Sequence, residues 1–199
     1  MNSFCNSALT VLKSKKRHKF SIGKEITSFD AVTSGKMPTT DEIFTLISVA
    51  GGFSSLAIIL SVAQKETIEK MYCSTFRIGK NHFKKIYGAY LAEQIKDAEF
   101  YTSDMQSETD KGKYNYIQLI KQVCEETKWE IKSVKNHSKI ILMETAKGNH
   151  YVVETSSNLN ENPKIEQFSI SNDIELFNFY RENLFELLKN AWFNSFTEI

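Results

Sequence analysis

The stretch NHSKIILMETAKGNHYVVETSSNLNENPKIEQFSI, Asn136 to Ile170, decides how this chain is read. It holds two apolar β runs, Lys139–Met143 and His150–Glu154, joined by a polar connection containing Lys147, Gly148 and Asn149. A third run, Ile165–Ile170, follows a Ser- and Asn-rich turn. Side chains two apart on an extended segment point the same way, so His137 and Lys139 share a face. An imidazole beside an ammonium packs poorly as core. It suits a phosphate site, with a nucleophile or general acid next to a cation that stabilises phosphoryl charge. Thr155, Ser156, Ser157 and Asn158 leave the neighbouring run carrying hydroxyl and amide donors for phosphoryl oxygens. Glu166, on the run after that, is placed to accept from an imidazole Nδ1–H and to fix its tautomer.

Upstream, strand and helix patterns alternate from Thr40. Ile43 to Ala63 contains no charged residue and is long enough to cross a bilayer. Gly51 and Gly52 divide it, however, and Ser and Thr dilute it. The preferred reading is a buried strand (42–49), a tight turn and a buried helix (53–64). Ile68 to Ile78 is β-rich. Phe83, Ile86, Tyr87, Tyr90, Leu91 and Ile95 recur at helical spacing and predict a helix over Asn81–Asp97. Thr102 to Gly112 reads as a polar loop, Tyr114–Glu126 as an amphipathic helix and Trp129–Val134 as a strand. Tyr87, Tyr90, Tyr114 and Tyr116 sit at helical spacings, as packing residues rather than stacking platforms.

Downstream, a C-terminal helix starts near Asp173, with Asn172 and Glu175 at capping-box spacing. Leu176, Tyr180, Leu184, Leu187, Leu188 and Trp192 form its apolar stripe, and Phe196 extends it. Strands alternating with helices predict an α/β layered domain over 39–199, with 1–38 as a basic N-terminal extension.

The 199 residues suffice for one domain, and 41% hydrophobic and 25% charged residues are ordinary for a globular protein. A net charge of +1 excludes a wholesale polycation, so a nucleic-acid surface has to be local. The candidates are the run Lys13–Lys19, a basic arm or a soluble tail, and the cluster Lys80, Lys84 and Lys85, a backbone contact or a solvated helix face that also includes His82. Cys5, Cys73 and Cys124 are too far apart for a disulfide framework or a metal pair, and suit a reducing, cytoplasmic setting. No metal site is expected. His150 reads as a hairpin residue.

The order His137-x-Lys139, four residues, an acid (Glu144), a Ser-rich turn with Ser156, Ser157 and Asn158, then Glu166, resembles the phospholipase D superfamily over residues 129 to about 190. Glu144 stands where that pattern has Asp, Ser156 where it has Gly, and the His-to-Asn interval is longer. The resemblance implies a phospholipase-D-like layered fold, a mixed β-sheet flanked by helices, and metal-independent phosphodiester hydrolysis through a phosphohistidine, with no cofactor. It makes His137 the nucleophile or acid, Lys139 and Asn158 phosphate clamps, and Glu166 the orienting acid. Ser156 and Ser157 then bind substrate and Glu144 supports. His18, His82 and His150 lack the accompanying pattern, so one half-site per chain implies a homodimer with a shared centre. With the basic clusters, the expected substrate is nucleic acid and the expected enzyme a nuclease acting away from membranes. The alternative is a degenerate module that binds nucleic acid or protein without turnover.

Overall fold

The computed structural model describes residues 10–13, 18–23, 29–49, 52–103, 116–160 and 164–194. Side chains are described for all of these but 10–13, 18–23, 116–119 and 192–194. Much of the basic run at 13–19, the connection 104–112, Tyr114, Cys5 and Phe196 lie outside the described residues, as do the side chains of Tyr116 and Trp192.

Among the described residues, nine strands form one mixed sheet in the order β1-β2-β3-β9-β8-β7-β4-β5-β6. They are β1 (Thr10–Lys13), β2 (His18–Gly23), β3 (Ile43–Ser48), β4 (Ile68–Ser74), β5 (Ile95–Ser103), β6 (Glu130–Val134), β7 (Ile140–Thr145), β8 (His150–Thr155) and β9 (Glu166–Asn172). The last three form an antiparallel meander, as their alternation and the Gly148 turn (φ +78°) dictate. β4, β5 and β6 run parallel, joined by helices.

Among the described residues, one face is covered by the helices α1 (Phe29–Thr33), α2 (Ser55–Lys65), α3 (Lys80–Leu91) and α4 (Tyr116–Thr127). Their apolar sides merge with Leu46, Met71, Phe100, Met143 and Val153 into the main core. Phe29 and Val32 of α1 belong to it, so the chain just before residue 39 packs onto the domain. The other face carries the C-terminal helix, built of α5 (Ile174–Tyr180), a π-helical turn (Arg181–Phe185) and α6 (Glu186–Asn194). A second core of Tyr101, Leu142, Val152, Phe177, Phe185 and Leu188 lies beneath it.

In the uncharged run at 43–63, β3 and α2 stand where the strand and the helix are expected, and residues 50 and 51 of the expected turn lie outside the described residues. No helix among the described residues is long and apolar enough to cross a membrane. Three expectations are corrected. The helix predicted over 81–97 ends at Leu91, and β5 begins at Ile95. Glu93 turns the chain in the left-handed region (φ 58°), a stop that no Gly or Pro announces. The C-terminal helix is capped by Asp173, whose carboxylate accepts from the N–H groups of Glu175 and Leu176, and not by Asn172. Leu187 is 63% exposed while Phe177 and Phe185 are buried, because the π turn rotates the second half of the stripe.

On the second face a charged layer replaces apolar packing. Lys70 Nζ lies 2.6 Å from Asp97 and 2.8 Å from Glu99, and Tyr101 donates to Glu99 at 2.8 Å. Burial pushes the Glu99 carboxyl up, but the Lys70 and Tyr101 hydrogen bonds outweigh it and hold the group below the usual glutamate value. A depressed carboxylate stabilises the fold above its unfolded pKa and loses that contribution as pH falls through the folded value. Lys70→Met is therefore expected to cost about 2 kcal/mol near neutral pH. The gap from wild type should close in acid, read from urea unfolding at a series of pH values.

Candidate functional site

The site is built where β7 begins, β8 ends and β9 begins. Residues 136–139 precede β7 outside any strand, with Asn136 buried and His137 exposed. Asn136 and Ser138 face inward. Asn136 Nδ2 donates to Ser74 Oγ (2.9 Å) and to the Tyr101 carbonyl (3.1 Å), while its Oδ1 accepts from Ser138 N (2.9 Å) and Ser138 Oγ (2.7 Å). This Asx turn ties the segment to β4 and β5. His137 and Lys139 are thereby turned outward.

His137 is exposed, with its ring 5.1 Å from that of Phe76. Lys139 Nζ donates to the His137 carbonyl at 2.9 Å and stands 3.5 Å from His137 Nδ1. Desolvation lowers the Lys139 pKa from the ordinary lysine value, and the nearby Glu166 charge opposes that fall. Lys139 also lines the open cleft at this end of the sheet.

The open cleft beside this pair measures about 680 Å³, and His137, Lys139, Thr155 and Ser156 line it together with the outward residues of β3, β8 and β9. Thr155 N–H donates to the Lys139 carbonyl at 3.2 Å, and Thr155 Oγ1 donates to the Gln167 carbonyl at 2.8 Å. Ser156 Oγ hydrogen-bonds Glu166 and accepts from Gln167 N at 3.1 Å. Glu166 is buried behind the cleft, where its charge reaches Lys139.

The predicted residues thus divide. His137, Lys139 and Ser156 meet at the cleft, with Glu166 behind them. Ser157 is buried, its hydroxyl donating to the Asn158 carbonyl at 3.1 Å. Asn158 does not line the cleft, and its Oδ1 is buried without a hydrogen-bond partner. Glu144 lies along β7 on the opposite face of the sheet from Lys139, near Tyr72. Lys80, Lys84 and Lys85 are exposed on α3, whose start is tied to the Ser-Asn turn by the Gly79 N–H donating to the Leu159 carbonyl at 2.8 Å. Their neighbour His82 is buried, with Nε2 3.2 Å from Ser54 Oγ, and so is not part of a solvated face. His150 opens β8 against Phe177, at a ring separation of 5.1 Å. Burial pushes the Cys73 thiol up to about 12, so it stays protonated. Among the described residues no group of His, Cys, Asp and Glu is arranged to hold a metal.

The reading of the motif missed Asn136 and Ser138. Their Asn-x-Ser spacing is an Asx-turn signal. It also missed the cleft wall contributed by Thr45, Glu154, Gln167 and Ser169.

Among solved structures, the chain is similar to phosphatidylserine synthase from Haemophilus influenzae, with a TM-score of 0.51 and 12% identity over 75% of this chain and 38% of that one. The fold is phospholipase-D-like. Yeast tyrosyl-DNA phosphodiesterase also matches, at a TM-score of 0.41 and 9% identity over 64% of this chain and 31% of that one. The chain therefore spans well under half the length of these structures. No family model matches the sequence, and no curated protein does. In this phospholipase-D-like fold, β7 to β9 present the His137–Lys139 segment at one end of the sheet.

Proposed function

We propose that this protein is a metal-independent phosphodiesterase, a nuclease, acting through a phosphohistidine at a centre shared by two subunits. The observation that carries this reading is the convergence of an exposed His137 and a partly desolvated Lys139 on one open cleft, with Glu166 buried behind them. Residues 39–199 are taken as the phosphodiesterase domain, and the basic extension 1–38 adds β1 and β2 to its sheet and Phe29 and Val32 to its core.

In the first step His137 Nε2 attacks phosphorus. The P–N bond forms as the P–O bond to the leaving group breaks, and the partner's His137 gives its proton to the departing oxygen. That imidazole then takes a proton from water, whose oxygen displaces His137 from phosphorus. Lys139 neutralises the charge on the non-bridging oxygens at both stages. Asn158 serves as the second clamp if the turn at 156–160 rearranges on binding, and Glu166 is the acid that orients the His137 imidazole. Glu144 supports the sheet, and Lys80, Lys84 and Lys85 touch the nucleic-acid backbone outside the cleft.

Cleavage of single- and double-stranded DNA and RNA is expected to persist in excess chelator. Mixing wild-type protein with a tenfold excess of His137→Ala, after subunit exchange, should drive activity far below the simple dilution value, because few pairs then keep both imidazoles. Activity proportional to the wild-type fraction would place a complete centre in each chain. Wild-type protein inert on every phosphodiester tried would remove the catalytic reading.

The position of Asn158 behind the cleft favours a second reading, a module that binds nucleic acid without turnover. It predicts salt-dependent binding that His137→Ala leaves intact, with no product formed.

A further inference from the structure

A second, narrower gap lies at the same end of the sheet, on the side of the main core. Ser55, Ser74, Thr75, Thr155 and Ser157 bring hydroxyls to its wall, and Lys139 is the one charged residue among the described lining residues. Lys139 and Thr155 also line the open cleft, so these two side chains stand between cleft and gap. The other hydroxyls are engaged within the protein. Ser74 Oγ accepts from Asn136 Nδ2 at 2.9 Å, and Thr75 Oγ1 donates to the Arg77 carbonyl at 3.1 Å. Thr155 and Ser157 donate to the carbonyls of Gln167 and Asn158. Ser55 differs. It is 1% exposed, and its hydroxyl has no hydrogen-bond partner. A buried hydroxyl left unpaired destabilises the folded chain.

Ser55 is the first residue of α2, and that helix start is itself uncapped. Ser54 occupies the N-cap position without a cap bond, and its hydroxyl lies 3.2 Å from His82 Nε2 instead. No acidic residue stands in the first turn. The N–H groups of Ser55 and Leu56 have no carbonyl one turn earlier to bond, and the helix dipole adds partial positive charge beside them. Hydroxyl, helix start and ammonium all favour an anion. Asn158, expected as a phosphate clamp, lines neither the gap nor the cleft. The gap is tight, but its boundary with the cleft is the long Lys139 side chain, which widens it by turning aside.

Taking this end of the sheet as a phosphodiester site, as proposed above, we infer that Ser55 is a further substrate-binding residue. Its hydroxyl, with the N-terminus of α2, receives a non-bridging oxygen of the phosphoryl group whose charge Lys139 neutralises. Helix N-termini are built for such oxygens. Binding pairs the hydroxyl that folding leaves unpaired. The chemistry recognised is a tetrahedral phosphoryl anion, which inorganic phosphate presents as well as a phosphodiester does.

The test titrates inorganic phosphate into the intact chain at constant ionic strength, by calorimetry and as a rise in melting temperature. Ser55→Ala should weaken phosphate binding about tenfold, the effect of one hydrogen bond to a charged group. In phosphate-free buffer it should melt no lower than wild type, because it removes a buried unpaired hydroxyl. Ser55→Cys, close in size but a weak donor, should behave alike and guards against a packing fault in the alanine variant. Lys139→Met should also lose the binding, which ties the ion to this gap. Phosphate binding that depends on Ser55 and Lys139, without cleavage of any phosphodiester, would retire the hydrolytic reading and leave this inference standing. Cleavage with phosphate affinity unchanged in both Ser55 variants would overturn the inference and leave the hydrolytic reading in place. No phosphate binding by wild type, affinity unchanged in Lys139→Met, or both Ser55 variants melting lower in phosphate-free buffer would equally overturn it.

Discussion

His137→Ala should lower phosphodiester hydrolysis by at least about a thousandfold and leave the fold intact. The first half follows from the proposed chemistry, in which removing the nucleophile removes the only route to the covalent intermediate. In a shared centre the same substitution also deletes the general acid, so no second imidazole is left to compensate. The second half follows from position. The side chain is exposed, and its one ring neighbour is Phe76 at 5.1 Å. Truncating an exposed side chain of this kind shifts stability by no more than about 0.5 kcal/mol. Single-turnover assays in chelator, with urea unfolding of the same preparations, read both quantities. A variant that retains a tenth of the activity would show that His137 is not the attacking group.

Asn136→Ala should act in the opposite proportion, with a large loss of stability and a secondary loss of activity. Four hydrogen bonds converge on its buried amide, from Ser138 and to Ser74 and the Tyr101 carbonyl. Alanine leaves the Ser138 N–H without its acceptor and removes one of two donors to the Tyr101 carbonyl, which the Thr75 N–H still reaches at 3.0 Å, and this costs about 2 kcal/mol. The Asx turn that aims His137 and Lys139 outward is lost with it. Misplacement of reacting groups by about 1 Å is worth a hundredfold in rate, the decrease expected here at temperatures where the variant remains folded. Asn136 is a positioning residue, so its effect should fall on the rate of the chemical step while the pH profile set by His137 keeps its shape. A displaced profile would mean that Asn136 also tunes the imidazole.

These two residues also mark how far the sequence could be read. His137 and Lys139 were legible because their meaning is local: parity on an extended segment, followed by three β runs with turn residues between them. The strands β7, β8 and β9 fall where alternation puts them, within a residue or two. Asn136 was not legible, because its partners Ser74 and Tyr101 are far away in sequence and meet it only through the β7–β4–β5 neighbourhood. The strand β5 was hidden for a related reason. Lys96, Asp97 and Glu99 look unsuited to a central strand until Glu69 and Lys70 on β4 are brought alongside to pair with them. Leu91 and Ile95 keep helical spacing across the boundary, so the pattern carries on after the helix has stopped. The end of the sheet that carries His137 and Lys139 was readable from motif order, but the wall of the cleft was not. Thr45, Glu154 and Ser169 come from three strands, and only their register places them in one row.

The π turn at Arg181–Phe185 bears on how this protein should be aligned with others. Phe177 and Phe185 both pack on Tyr72, at ring separations of 6.4 Å and 5.5 Å, although eight positions apart they would point in different directions on a regular helix. One extra residue held in the wide turn brings them back into phase. The number of residues between Phe177 and Leu188 is therefore as informative as their identity. A related chain one residue shorter here would wind as an unbroken α-helix, and a gap placed ahead of Tyr180 would assign the wrong position to it and hence the wrong partner to Glu154.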